Sequence, residues 1–154
     1  MMNKEDFKFT LDVPVRYADV DSRGHVNNAM YIRYFEEGRM HYMNEVAGFP
    51  LTEIADTDII ILDMHCDYIS PSYHGEIMKV HARISRLGNK SMEMLYLITD
   101  KASGRTVAEG SSILVAYDYS TRKTMPVPDS FREKISRFEG IPIREESGGR
   151  KTKQ

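Results

Sequence analysis

The stretch from Tyr17 to Glu37 reads YADVDSRGHVNNAMYIRYFEE, and it sets two carboxylates, a histidine and two asparagines ahead of a run of aromatics. The periodicity of the chain changes here. Before it, apolar residues alternate at Phe7, Phe9, Leu11, Val13, Val15 and Tyr17, which predicts a half-buried strand. After it, Tyr31, Tyr34, Phe35, Gly38, Tyr42 and Val46 recur every three or four residues, which predicts one long helix ending near Gly48 and Pro50. Gly38 falls in mid-helix, where glycine costs about 1 kcal/mol against alanine. Its presence there predicts a neighbour packed too closely for a β-carbon.

The rest of the chain reads as strands divided by turn signals: TDIIILDMHCDYI, EIMKVHARISRL, MEMLYLITD and TVAEGSSILVAYD, separated by SPSYHG, GNKS and KASGR. The turns between the last three strands are too short for parallel crossovers, so an antiparallel meander is expected. DYSTRKTMPVPDSFREKISRFEG then predicts a short tail strand and a helix from about Pro128. The segment EESGGRKTKQ lacks the apolar residues that would order it. The expected fold class is α+β, a five-stranded antiparallel sheet wrapped around one long helix with a short C-terminal helix. A single domain is expected over residues 1–140, with residues 141–154 a disordered tail.

Composition narrows the function. A chain of 154 residues is long enough for one compact domain. Its net charge of −2 offers no basic excess to a phosphate backbone, so nucleic acid is not an expected partner. No apolar run approaches the roughly 20 residues of a membrane span, and no signal peptide opens the chain, so a cytoplasmic protein is expected. Cys66 is the one cysteine and no zinc-type spacing is present. His65 and Cys66 are adjacent on a strand and point to opposite faces, so no metal site is expected.

The opening stretch is suited to polarising a carbonyl and attacking it. A strand-to-helix junction offers free backbone N–H groups and the positive end of the helix dipole to a developing oxyanion. Asn27 or Asn28 can cap that helix, and Gly24 lets the chain turn sharply before it. Asp19 and Asp21 supply carboxylates, although two aspartates before a glycine also suit a plain turn closed by side-chain to backbone bonds. DVDSRG opens like a calcium loop, but Arg23 and Met30 stand where oxygen ligands are needed.

Three segments, RYADVDSRGHVNNAMYIRYFEEGR, DYISPSYHGEIMKV, and GRTVAEGSSILVAYD with TMPVP after it, resemble the hotdog fold of the 4-hydroxybenzoyl-CoA thioesterase family. The resemblance covers about Phe7 to Pro128. It implies hydrolysis of an acyl-CoA without metal or redox cofactor. Asp21 would be general base or nucleophile, and the backbone amide near Asn28 would receive the thioester oxygen. The HVNN segment is similar to plant acyl-carrier-protein thioesterases, whose matching histidine falls on His25; Arg23 stands in place of their asparagine and is given no role. Gly24, Val26, Asn27 and Tyr31 are the implied substrate contacts beside the junction. The resemblance also places Lys90 and Ser91, and the tail pair Arg122 and Lys123, against coenzyme A phosphates. It implies homodimers or homotetramers with active sites between subunits. An acyl carrier protein substrate, or a sensor that binds acyl-CoA without turnover, are the alternatives.

Overall fold

The structure is a computed structural model, and it describes residues 1–51 and 57–144. Strand β1 (Phe9–Pro14) leads through a short 3-10 turn (Tyr17–Asp19) to helix α1 (Asn28–Ala47). Strands β2 (Thr57–Tyr68), β3 (Ile77–Leu87), β4 (Ser91–Asp100) and β5 (Thr106–Asp118) follow, then the two-residue β6 (Lys123–Thr124) and helix α2 (Asp129–Glu139). The main sheet runs β1-β3-β4-β5-β2, antiparallel throughout, with β6 paired to the end of β5. This is the hotdog arrangement, a curled antiparallel sheet around one long helix with a short C-terminal helix.

Helix α1 turns a stripe of Tyr31, Tyr34, Phe35, Gly38, Tyr42, Met43 and Ala47 into the sheet, all buried. It meets Met78, Val80, Ala82 and Ile84 of β3 and Met92, Met94, Tyr96 and Ile98 of β4, which alternate onto the same face. Complete burial of side chains this large stabilises the fold by about 1.5–3 kcal/mol each. The approach is closest at Gly38, where an added Cβ would lie 2.6 Å from Val80 Cγ1. The helix stops where the sequence predicts, at Gly48, whose φ of 76° is the left-handed C-cap.

The first strand is shorter than its alternation. Strand β1 ends at Pro14, whose nitrogen, lacking an N–H, faces away from β3 on this edge strand. Val15 still donates to Glu76 O at 3.0 Å, but Tyr17 lies outside the sheet at 83% exposure. Phe7 precedes the strand and packs edge-on against the buried His81 at 5.8 Å, so the N-terminal segment covers part of the outer sheet face. The sheet carries six strands rather than five once β6 is counted.

Helix α2 closes one end of the core through Phe131 against Phe49 and Phe138 against Tyr42. Its contacts run past residue 140: Ser136 Oγ donates to Ile141 O at 2.6 Å and Arg132 Nη1 to Ile143 O at 3.0 Å. Residues 145–154 of the expected tail lie outside the described residues.

Candidate active site

The junction between β1 and α1 is built as a closed turn. Val20 bridges to Val26, the Asp21 amide donates to His25 O at 3.0 Å, and the Gly24 amide donates to Asp21 O at 3.1 Å. Gly24 takes φ +84° to make this reversal, a conformation that a β-carbon disfavours. The turn delivers the chain to Asn27, the N-cap, whose Oδ1 accepts from the Ala29 amide at 2.9 Å. Asn28 is thus the first helical residue, and its amide is one of those with no acceptor inside the helix.

Asp21 is half-buried on the near side of this turn. Its Oδ1 accepts the Arg23 amide at 2.9 Å, and its Oδ2 has no hydrogen bond among the described residues. That oxygen is free to act on a substrate or a water. His25 is half-buried beside it, with Nδ1 3.4 Å from Val26 O. The turn therefore brings Asp21, His25, Gly24, Asn27 and Asn28 into one short stretch of surface.

Asp19 has a different place. It is 1% exposed and accepts from the Arg16 amide at 3.0 Å, from the Arg16 guanidinium at 3.0 Å and from Tyr34 Oη at 2.8 Å. Burial opposes its ionisation, but Arg16 and the Tyr34 hydroxyl outweigh it and hold the carboxyl below its ordinary value. Both oxygens are occupied in anchoring the turn to α1, so this carboxylate is structural.

Val26 and Tyr31 lie behind the turn at 2% and 4% exposure. The Val26 amide donates to Ser72 O at 2.9 Å, and the Tyr31 hydroxyl sits 2.8 Å from Ser72 Oγ. The loop after β2 thus holds the helix start from below. Arg105 braces that loop in turn, donating to Ser70 Oγ, to Pro71 O and to Glu76.

Two residues of this loop and strand were not singled out in the sequence. Ser72 is fully buried and joins the turn to the helix, and Tyr68, the last residue of β2, sets its ring edge-on to Tyr31 of the first helical turn at 5.5 Å. The segment DYISPSY reads as a strand end and turn, with nothing local to mark either residue as part of the junction.

Lys90, Ser91, Arg122 and Lys123 come together, but elsewhere. The Ala116 amide donates to Lys90 O, the Val127 amide donates to Asn89 O, and β6 pairs with the end of β5. Arg132 fixes the same turn by donating to Gly88 O and Asn89 O. These four residues lie at the Asp118 end of β5, whereas the junction lies beside its Thr106 end, where the Ile69 and Ser70 amides donate to Val107 O. Measured along β5, from Val107 and Ala108 to Val115 and Asp118, they are separated by roughly 25–35 Å at about 3.3 Å per residue. One chain does not bring these residues to Asp21. Among the described residues no group of three His, Cys, Asp or Glu side chains is placed to hold a metal ion, and no helix is long and apolar enough to cross a membrane.

Residues 15–135 match the model of the thioesterase-like superfamily. The chain is 24% identical over 126 residues to the long-chain acyl-CoA thioesterase FadM of Escherichia coli, covering 82% of this chain and 96% of that one. It is 27% identical over 130 residues to a chloroplastic acyl-acyl carrier protein thioesterase of Arabidopsis thaliana, covering 83% of this chain and 67% of that one. A thioesterase from Thermus thermophilus, crystallised with coenzyme A and zinc, superposes with a TM-score of 0.76 at 30% identity, covering 90% of this chain and 98% of that one. A match over most of the chain, with a polar strand-to-helix junction inside it, identifies this protein as a member of the thioesterase-like superfamily.

Proposed function

We propose that this protein hydrolyses the thioester of an acyl-CoA, releasing the free acid and coenzyme A. The observation that carries the reading is the pairing of an Asp21 oxygen left free by its turn with the Asn28 amide, which has no acceptor among the described residues at the start of α1. The thioester carbonyl oxygen accepts from the Asn28 amide, where the helix dipole favours the charge that develops on it. Asp21 takes a proton from a water that attacks the carbonyl carbon, or attacks that carbon itself. The C–S bond then breaks and coenzyme A leaves as its thiol. Where Asp21 took the proton of the attacking water it returns that proton to the leaving sulfur; where Asp21 itself attacked, a water supplies the proton and hydrolyses the acyl–Asp21 anhydride, releasing the acid and regenerating the carboxylate. His25 assists as a second polar group. The similarity to FadM and to the coenzyme A-bound thioesterase supports acyl-CoA as the substrate class.

The reading includes a homodimer. Strand β2 is a long sheet edge whose Leu62, Tyr68 and Ile61 are 71%, 53% and 41% exposed, the kind of edge that folded proteins cover. Antiparallel pairing of two β2 edges about a two-fold axis would set the Tyr68 end of one chain beside the Thr57 end of the other. The basic end of the partner, with the partner's Lys90, the partner's Ser91, the partner's Arg122 and the partner's Lys123, then lies at the mouth of the Asp21 site. There it would meet the phosphates of coenzyme A. Two such dimers pairing would give the tetramer.

A second reading, in which the acyl group rides on acyl carrier protein, draws on the HVNN segment and on the Arabidopsis relative. One screen tests both: release of free thiol from short, long and aromatic acyl-CoAs and from the matching acyl carrier protein thioesters, for wild type and Asp21→Asn. Hydrolysis that is equally fast in the two proteins would refute the role of Asp21. Tight binding with no hydrolysis of any thioester would leave the sensor.

A further inference from the structure

Helix α1 carries a cation on its buried face. Arg39 is 8% exposed and its Nη1 is buried without a hydrogen-bond partner. Among the described residues no carboxylate forms an ion pair with it, and Glu36, three residues earlier, pairs with Arg33 at 2.8 Å instead. A charge withdrawn this far from water ordinarily keeps a partner, because burial by itself strongly disfavours it.

The register of the helix over the sheet determines what Arg39 faces. Tyr31 meets Tyr68 of β2 at 5.5 Å, and Phe35, one turn later, packs over Gly110 of β5, where an added Cβ would lie 2.5 Å from its ring. Gly38 lies on the opposite flank, against Val80 and Ala82 of β3. Tyr68 pairs with Ala108 and Cys66 with Gly110, and the next inward pair is Met64 with Ser112. One helical turn and two strand residues each advance the chain by roughly 6 Å, so Arg39 follows Phe35 onto the Met64–Ser112 pair.

Eleven residues make about three turns, so Arg39 also lies on the same line of the helix as Asn28, with Ile32 and Phe35 between them. Along that line Tyr68 is 53% exposed, and Ile32, Cys66 and Met64 are half-buried. A strip of partly open apolar surface therefore runs from the helix N-terminus to a buried guanidinium. Three turns rise about 16 Å, and a long helical side chain leans back toward the N-terminus, which leaves roughly 10 Å between the Asn28 amide and the cation.

We propose that the acyl group taken by this site ends in a carboxylate, and that Arg39 is the specificity-determining residue that receives it. The assignment rests on the thioesterase reading above and names its substrate class: coenzyme A thioesters of linear dicarboxylic acids of about six to ten carbons, whose extended chains match that gap. A guanidinium holds a carboxylate through two parallel N–H···O bonds. An acyl chain that ends in a methyl group leaves the buried donors unpaired, and that mismatch discriminates more strongly than a methylene more or less.

The test compares coenzyme A thioesters of six, eight and ten carbons, each made with a methyl end and with a carboxylate end. Wild type should favour the carboxylate-ended member of at least one pair by about tenfold or more in kcat/KM, mainly through KM. Arg39→Met keeps much of the length without the charge, so it should lose that preference and still hydrolyse the methyl-ended thioesters. Arg39→Lys keeps the charge without the fork and should retain only part of the preference, which decides the matter where Arg39→Met does not fold. An active wild type that turns over the methyl-ended thioesters equally well or better at every length overturns this assignment alone. A preference that survives undiminished in the folded variants does the same. A wild type inert toward every thioester overturns the thioesterase reading and this assignment with it.

Discussion

The Tyr34 hydroxyl donates a 2.8 Å hydrogen bond to Oδ2 of Asp19, fifteen residues earlier in the chain, and so ties the turn before α1 to the buried face of that helix. With Arg16 on the other side, Asp19 is an anchor, and Asp21 is the carboxylate left to the solvent side of the same turn. The two aspartates should therefore fail differently. Asp19→Asn should lose about 1–3 kcal/mol of stability by breaking a buried charge-assisted network, and should lose activity mainly through that loss. Asp21→Asn should melt near wild type and lose about 10²-fold or more in kcat, within the reach of general-base catalysis. Denaturant titration and thioester hydrolysis on both variants separate the roles. A stable, active Asp19→Asn would remove the anchor.

Two buried carboxyls should give opposite dependences on pH. Asp19 is held below its ordinary value of 3.8, because Arg16 and Tyr34 outweigh its burial. The unfolded chain then binds that proton more readily, so the stabilisation is complete above 3.8 and is lost as pH falls through the lower folded value. Glu139 is raised above 4.5, chiefly by burial, although Tyr42 and the Ile84 amide donate to its Oε1. Here the folded state holds the proton more tightly, so the contribution is complete below 4.5 and is lost as pH rises through the higher folded value. Melting temperatures from acid to neutral pH should show Glu139→Gln gaining on wild type as pH rises. Asp19→Asn should lose less than wild type on acidification. Parallel curves would refute both.

Gly38 offers a test of the helix-to-sheet contact. Alanine would favour the helix by about 1 kcal/mol in isolation. Its Cβ would stand 2.6 Å from Val80 Cγ1, and overpacking of a core on this scale costs about 1–3 kcal/mol. Gly38→Ala should therefore destabilise the protein, and Val80→Ala in the same chain should restore part of the loss. Strict additivity of the two changes in a denaturant cycle would show that the contact is not what selects glycine.

The helix was legible in the sequence because its pattern is local: one stripe, an asparagine cap and a terminal glycine all fall within twenty-one residues of each other. Gly38 announced its neighbour for the same reason. Tyr17 fitted the alternation of β1 but is solvent-exposed, since the chain has already left the sheet for the 3-10 turn Tyr17–Asp19 and periodicity alone does not register that stop. Asp19 reads from spacing as a turn residue, and its burial depends on Tyr34, which reaches it only after α1 packs on the sheet. Tyr68 and Ser72 were hidden for a related reason, as each touches the junction from another part of the chain. Lys90 and Arg122 could be placed on turns, but the length of β5 that parts them from Asp21 is a property of the sheet.

That separation sets the last test. If β2 pairs with β2 of a second chain, each active site takes Asp21 from one protomer and its basic end from the other. A chain carrying Asp21→Asn and a chain carrying Lys90→Glu, Arg122→Glu and Lys123→Glu should then each be poorly active alone. The first lacks the carboxylate and the second repels coenzyme A phosphates, so the second should fail mainly in KM. Co-expressed, they should recover activity. Random pairing makes about half of the dimers mixed, and in each mixed dimer one of two sites is intact, so about a quarter of wild-type kcat should return at substrate levels that saturate the intact site. Light scattering should give a species of at least twice the 17.7 kDa chain. A monomer, or a mixture no more active than the sum of its parts, would confine the site to one chain and leave the basic end without a role in it.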